Sequence, residues 1–144
     1  MFKTILVPTD GTPLSEKAIS AAIEFAKKNP GSKIIGVSVV EKLPFTPHGT
    51  KGSDLSDYVH QIQELTKQRV AKIAESAQAA GVACETVIEE SANPHEGILK
   101  AAAKYNCDCI FMASHGRKGF SKFFIGSETQ RVLAGTQIPV LVYR

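Results

Sequence analysis

Three observations predict an α/β fold built on a doubly wound parallel sheet for this 144-residue chain. Five short apolar runs recur along it, they are rich in Val and Ile with little alternation, and helical patterns separate them. Such runs suit strands buried on both faces, and regular strand–helix alternation builds a parallel sheet with helices on either side.

The first strand is "TILV" at residues 4–7, which ends at Pro8. In "GTPLSEKAISAAIEFAKKNPG", Thr12 can cap a helix and Pro13 suits its first position, where a missing N–H costs nothing. Leu14, Ala18, Ala22 and Phe25 then fall on one face. The turn signal "NPGS" precedes the second strand, "KIIGVSVV" at 33–40. A second helix is predicted near 57–80, with Val59, Ile62, Leu65, Val70, Ile73 and Ala77 on a broad apolar side and Gly81 as a left-handed stop. "ETVIEE" at 85–90 alternates and forms the third strand. "NPHE" at 93–96 offers an Asn cap, a Pro at the first position and a Glu three residues after the cap. "CIFMA" at 109–113 is the fourth strand, and "SETQ" at 127–130 repeats the capping-box spacing before a helix that Gly135 can stop. "PVLVY" at 139–143 is the fifth strand. The one long irregular segment, 41–56, exceeds a usual βα connection and reads equally as a binding loop or as a variable surface insertion. With no internal repeat and no boundary, the expectation is one domain over residues 1–144.

At 43% hydrophobic and 22% charged residues the composition is that of a globular chain, which excludes disorder as the default. The net charge of +3 comes from Lys and Arg scattered among acids, without the clustered basic stripe of a nucleic-acid binder, so no nucleic-acid partner is expected. Cys84, Cys107 and Cys109, with His48, His60, His95 and His115, lack the short paired spacing of a metal site. They read as three reduced thiols of a cytoplasmic protein. The apolar run of "MFKTILVPTDG" is too short for a signal peptide, and no window approaches the roughly 20 apolar residues of a membrane span.

In an open α/β sheet, ligands bind beyond the carboxyl ends of the strands, where the chain order reverses. That rule selects "PTDGT", "EKLPF" and "MASHGRKGFSKFFIGSETQRVL" (112–133). The last places Gly116, Gly119 and Gly126 and the cations Arg117, Lys118 and Lys122 between a strand and a helix. Gly116 and Gly119 let the backbone approach a ligand, and Gly126–Ser127 opens a helix whose first N–H groups and dipole favour a phosphate. The plainer reading is that Ser127 caps its helix and the glycines make turns. Asp10 can hold a ribose hydroxyl or a divalent cation bridging phosphates, or it can be the turn residue of "DG".

"ILVPTDGTPLSEKAI", "VSVVE", "CIFMASHGRKGFSKFFIGSETQRVL" and "IPVLVYR", in that order over essentially the whole chain, closely resemble the universal stress protein family. The motif of its nucleotide-binding branch is Gly, two residues, Gly, nine residues, Gly, then Ser or Thr. Here Gly116, the nine residues 117–125, Gly126 and Ser127 match, and Ala113 replaces the first glycine. The resemblance implies strand order 3-2-1-4-5 and an adenine-nucleotide site. In that site Asp10 lies near the ribose and phosphates, the Val39 backbone bonds the adenine, and Pro8 and Thr9 line the pocket. Gly116, Gly126 and Ser127 would hold the phosphates, and Ala113 and Ser114 would lie beside the ribose. Arg117 and Lys118 are not fixed by the motif and read equally as added attraction for phosphate or as solvated loop charges. Mg²⁺ would reach Asp10 through the phosphates. The resemblance also implies a homodimer, and a terminal apolar strand at a sheet edge points the same way, through 139–143.

The rivals fit less well. A receiver domain needs an acidic cluster after strand one, an ATP pyrophosphatase a Ser-Gly-Gly loop there, and a hydrolase a Gly-x-Ser-x-Gly elbow. "PTDGT" supplies none of them, and adjacency of Ser114 and His115 in sequence is no evidence of a nucleophile–base pair. The expected function is therefore a cytoplasmic, dimeric stress sensor or regulator that binds ATP or another adenine nucleotide, with an unidentified regulatory protein partner. Slow ATP turnover is expected at most, because no residue is evidently placed as a general base. The competing reading, favoured by Ala113, is a dimeric interaction module that has lost its nucleotide.

Overall fold

A computed structural model describes residues 1–42, 52–116 and 124–144. Within them the elements run β1 (Thr4–Pro8), α1 (Pro13–Lys27), β2 (Lys33–Glu41), α2 (Gly52–Ala79), β3 (Ala83–Ser91), α3 (Pro94–Lys104), β4 (Cys109–Ala113), α4 (Ser127–Gly135) and β5 (Val140–Tyr143). The strands form one sheet in the order β3-β2-β1-β4-β5, and every adjacent pair is parallel. The predicted fold class and strand order are both observed.

Alternate residues of each strand feed two cores, because side chains of a strand point to opposite faces. Ile5, Val7, Ile34, Cys109 and Phe111 pack under Ile19, Ala22 and Ile23 of α1 and Ile73 and Ala77 of α2. Leu6, Ile35, Val37, Ile110 and Met112 pack under Ile98, Ala101 and Ala102 of α3 and Val132 of α4. Cys107 and Cys109 belong to opposite cores, and both are free thiols. At the start of the sheet, Asp108 accepts the backbone N–H groups of Lys3 (2.9 Å) and Thr4 (3.0 Å), tying β1 to β4.

Several local expectations are confirmed and several are corrected. Thr12 caps α1 through Oγ1, which accepts the Ser15 N–H at 3.3 Å, with Pro13 at the first position. The buried face of α1 is rotated from the predicted one: Ser15, Ala18, Ile19, Ala22, Ile23 and Ala26 are buried, while Leu14 and Phe25 are half-buried. Gly81 ends α2 in the left-handed region (φ +71°). That helix begins at Gly52, earlier than predicted, and its packed side starts only at Thr66 and Val70, while Val59 and Leu65 stay exposed.

Neither capping box forms. Asn93 makes no side-chain cap, Ser127 is the first residue inside α4 rather than its cap, and Gly126 holds the cap position. Gly135 lies within α4, and its missing side chain leaves room for Leu99, whose Cδ1 would stand 2.6 Å from a Cβ there.

Candidate functional site

β1 pairs with β2 as far as Pro8↔Val37 but with β4 only at Ile5 and Leu6, so the β1–β4 ladder ends two residues before β1 does. This is the point where chain order reverses, and a cavity of about 440 Å³ opens there. That volume suits a small-molecule ligand. Pro8, Thr9, Asp10 and Ser15 form one wall, and Val37, Val39 and Glu41 of β2 another. Met112, Ala113, His115 and Gly116 follow from β4, Pro94 and Ile98 come from α3, and Gly126, Ser127, Glu128, Thr129 and Arg131 from the start of α4.

The "PTDGT" turn is rigid because nearly every polar group in it is paired. Asp10 Oδ1 accepts the Thr12 N–H (3.0 Å) and the Thr12 hydroxyl (2.7 Å). Buried Thr9 receives the Ser15 hydroxyl at 2.9 Å, its N–H donates to the Val37 carbonyl at 2.8 Å, and its carbonyl accepts from Ser38 at 2.9 Å. Gly11 needs its φ of +79° for the turn, and a Cβ there would meet the Arg69 side chain of α2.

Asp10 Oδ2 lies against Gly116, so close that a side chain at residue 116 would have to displace it. Gly126 donates its N–H to the Ser114 carbonyl at 2.7 Å, and a Cβ on it would stand 3.0 Å from His115 Cα. The two glycines thus let the exit of β4, the Asp10 turn and the head of α4 converge. Among the described residues no side chain caps α4, whose leading N–H groups and positive dipole end are set beside the cavity.

Of the residues singled out from sequence, Pro8, Thr9, Asp10, Val39, Ala113, Gly116, Gly126 and Ser127 come together around this cavity. Ser114 is buried, is not among the lining residues, and has its hydroxyl 3.2 Å from His115 Nδ1. Arg117 and Gly119, with Lys118 and Lys122, lie outside the described residues. Among the described residues no group of three or more His, Cys, Asp or Glu side chains is arranged to hold a metal, so Mg²⁺ at Asp10 would depend on ligand phosphates for its other oxygens.

A carboxylate cluster at the α3–α4 junction has no counterpart in the sequence reading. Glu128 Oε2 accepts both the backbone N–H and Nδ1 of His95 at 2.8 Å each, and its Oε1 accepts Arg131 Nη1 at 2.8 Å. Glu128 therefore caps α3 from another helix, in place of Asn93. Partial burial pushes this carboxyl up, but the His95 N–H and ring, with the Arg131 guanidinium, outweigh it and hold Glu128 below its ordinary value. His95 and Glu128 are 33 positions apart, so no local spacing signals the pairing.

A second hollow of about 680 Å³ lies at the opposite end of the sheet, lined by Lys3, Lys27, Lys33 and the turns after α1 and α2. It sits at the C-terminal ends of both helices, where the lysines offset the negative dipole ends.

A cavity at the switch point of a parallel sheet, with the head of a helix beside it, is the place where open α/β sheets bind their ligands. The universal stress protein family model matches residues 1–144, and the chain belongs to that family. It is 30% identical over 148 residues to Universal stress protein MJ0531 of Methanocaldococcus jannaschii, covering 100% of this chain and 83% of that one. The solved structure of protein MJ0577 from the same organism superposes with a TM-score of 0.82 at 27% identity, covering 99% of this chain and 96% of that one. A universal stress protein of Archaeoglobus fulgidus, solved in complex with dAMP, shares the fold at a TM-score of 0.67 and 19% identity, over 99% and 98% of the two chains. Among the described residues no helix is long and apolar enough to cross a membrane.

Proposed function

We propose that this chain binds an adenine nucleotide, ATP or a close relative, in the switch-point cavity, and acts as a cytoplasmic, dimeric sensor or regulator in a stress response. The observation that carries the reading is the convergence of Asp10, Gly116, Gly126 and the uncapped start of α4 on one cavity whose far wall includes Val39. A phosphate chain would meet N–H groups and the helix dipole at Gly126–Ser127, the ribose would lie between Asp10 and Ala113, and the base would reach the end of β2. Arg117 and Gly119 belong to the same reading, adding charge and a close backbone approach. The dAMP complex of the A. fulgidus protein, a member of the same family, supports an adenine ligand. Mg²⁺ would enter on the phosphates, with Asp10 as its protein ligand.

The role is binding rather than turnover, with slow hydrolysis at most. His115, the one imidazole lining the cavity among the described residues, already has Nδ1 against the Ser114 hydroxyl. A dimer would form through β5, which pairs on one side with β4 and carries Leu141 37% exposed.

Calorimetric titration of nucleotide-free protein with ATP and Mg²⁺ tests the reading. A micromolar dissociation constant, about 8 kcal/mol, supports it. No heat with ATP, AMP or cAMP would leave the interaction module, a family fold whose pocket has lost its ligand.

A further inference from the structure

We propose that His95 is a positioning residue for the nucleotide site, acting through Glu128, and that its protonation tightens the grip of the cavity on anionic nucleotides. The inference rests on the nucleotide reading and adds a means of regulating that site.

Glu128 directly follows Ser127 at the head of α4 and lines the cavity, as do Arg131 and Pro94, the neighbour of His95. An unrestrained carboxylate there would compete with a phosphate for the same helix start and repel it. Both of its oxygens are instead held: Oε2 lies on the His95 N–H and Nδ1, and Oε1 on Arg131, each at 2.8 Å. The three contacts turn the carboxylate onto the first turn of α3 and lock α3 to α4 beside the cavity. His95 Nδ1–H can donate whether the ring is neutral or charged, so protonation changes the charge rather than the bond. With a neutral ring, the Glu128–Arg131–His95 cluster is balanced; with a protonated ring it carries one net positive charge at the cavity wall. An anionic ligand gains from that charge and an uncharged one does not.

The other charged groups on the surrounding elements do not duplicate His95. Glu41 at the end of β2 and Asp10 beyond β1 are carboxylates. Glu89 of β3 is engaged by Lys100 and Lys104, and Glu96 on the same helix accepts from Asn93 and Ser91. His115 beyond β4 is the one imidazole that lines the cavity itself among the described residues, and it is the same in every variant compared.

The test measures affinity for ATP and for uncharged adenosine at pH 5.5 and pH 8 in the wild type, His95→Asn and His95→Ala. Asn keeps a donor at the Nδ1 position without a titratable charge; Ala removes the donor. Ionisation of ATP and His115 cancels when variants are compared at one pH. The wild type should bind ATP about fivefold more tightly than His95→Asn at pH 5.5 and equally at pH 8. His95→Ala should be weaker than both at pH 8, and adenosine should show no pH-dependent difference. ATP profiles that superpose for wild type and His95→Asn would overturn the inference and leave the nucleotide reading standing. An equal pH-dependent difference with adenosine would overturn the charge argument. Absence of binding by every variant to either ligand would overturn both.

Discussion

Asp10 and Gly116 are in close contact: the Oδ2 atom of Asp10 lies inside the contact distance of a Cβ placed on residue 116. Asp10 cannot simply swing aside, because its Oδ1 is anchored by the Thr12 N–H and hydroxyl at 3.0 and 2.7 Å. Gly116→Ala must therefore break that anchor. We expect a stability loss of about 1–2 kcal/mol and ATP affinity lower by about tenfold, read by thermal unfolding and calorimetry. Unchanged affinity would show that Asp10 does not serve the ligand.

Val39 is held in place by a glycine on the opposite layer. A Cβ on Gly97 of α3 would stand 2.7 Å from both methyl carbons of Val39, inside any tolerable contact. Gly97→Ala should push Val39 and β2 toward the cavity and cost about 1–3 kcal/mol. The expected result is weaker binding of adenosine as well as of ATP, since the base end is the part disturbed. A loss confined to ATP would place the disturbance at the phosphates instead.

The same contrast shows why some of this molecule is readable in one dimension and some is not. Strands β1, β2 and β4 were legible because each is a run of residues buried on both faces, as at Ile5–Leu6–Val7 and Ile34–Ile35. The Thr12 cap was legible because donor and acceptor lie three residues apart. The Asn93 cap failed because the N–H it would have served is taken by Glu128 from another helix. Asp10, Gly126 and Ser127 stood out through chain order, each lying just past a strand end or at a helix start. Pro94, Ile98, Glu128 and Arg131 reach the cavity only through the packing of α3 and α4, which no local spacing encodes.

The buried thiols set a boundary at high pH. Burial, with Asp108 adding repulsion, pushes Cys107 and Cys109 up to about 11 each. A thiol whose folded value is raised stabilises the fold fully below its unfolded value near 8.5–9, and the contribution disappears as pH rises through about 11. Unfolding free energy should therefore fall between pH 9 and 11, by about 2 kcal/mol for each thiol at most. Alkylation with iodoacetamide at pH 8 should reach half-buried Cys84 first and Cys107 and Cys109 only on unfolding. Equal labelling rates for all three would refute this account.

Glu89 is a carboxylate only 4% exposed on β3, and two lysines one helical turn apart on α3 compensate it. Lys100 Nζ lies 3.3 Å from Oε2 and Lys104 Nζ 3.7 Å from Oε1, while Oε1 has no hydrogen-bond partner. Because both lysine heads are well exposed, either alone can move to cover the carboxylate, and a single Lys→Ala change should cost less than about 1 kcal/mol. Removing both leaves a buried charge without a counter-ion, for which about 3 kcal/mol is expected. The loss should therefore be larger than the sum of the single changes. In a Glu89→Gln background the same lysine changes should become nearly neutral, since no charge remains to be compensated. Urea unfolding of the eight proteins in this cycle decides the matter: additive lysine effects, or an equal double-lysine loss with Gln at 89, would mean that the lysines act through helix packing rather than through the Glu89 charge.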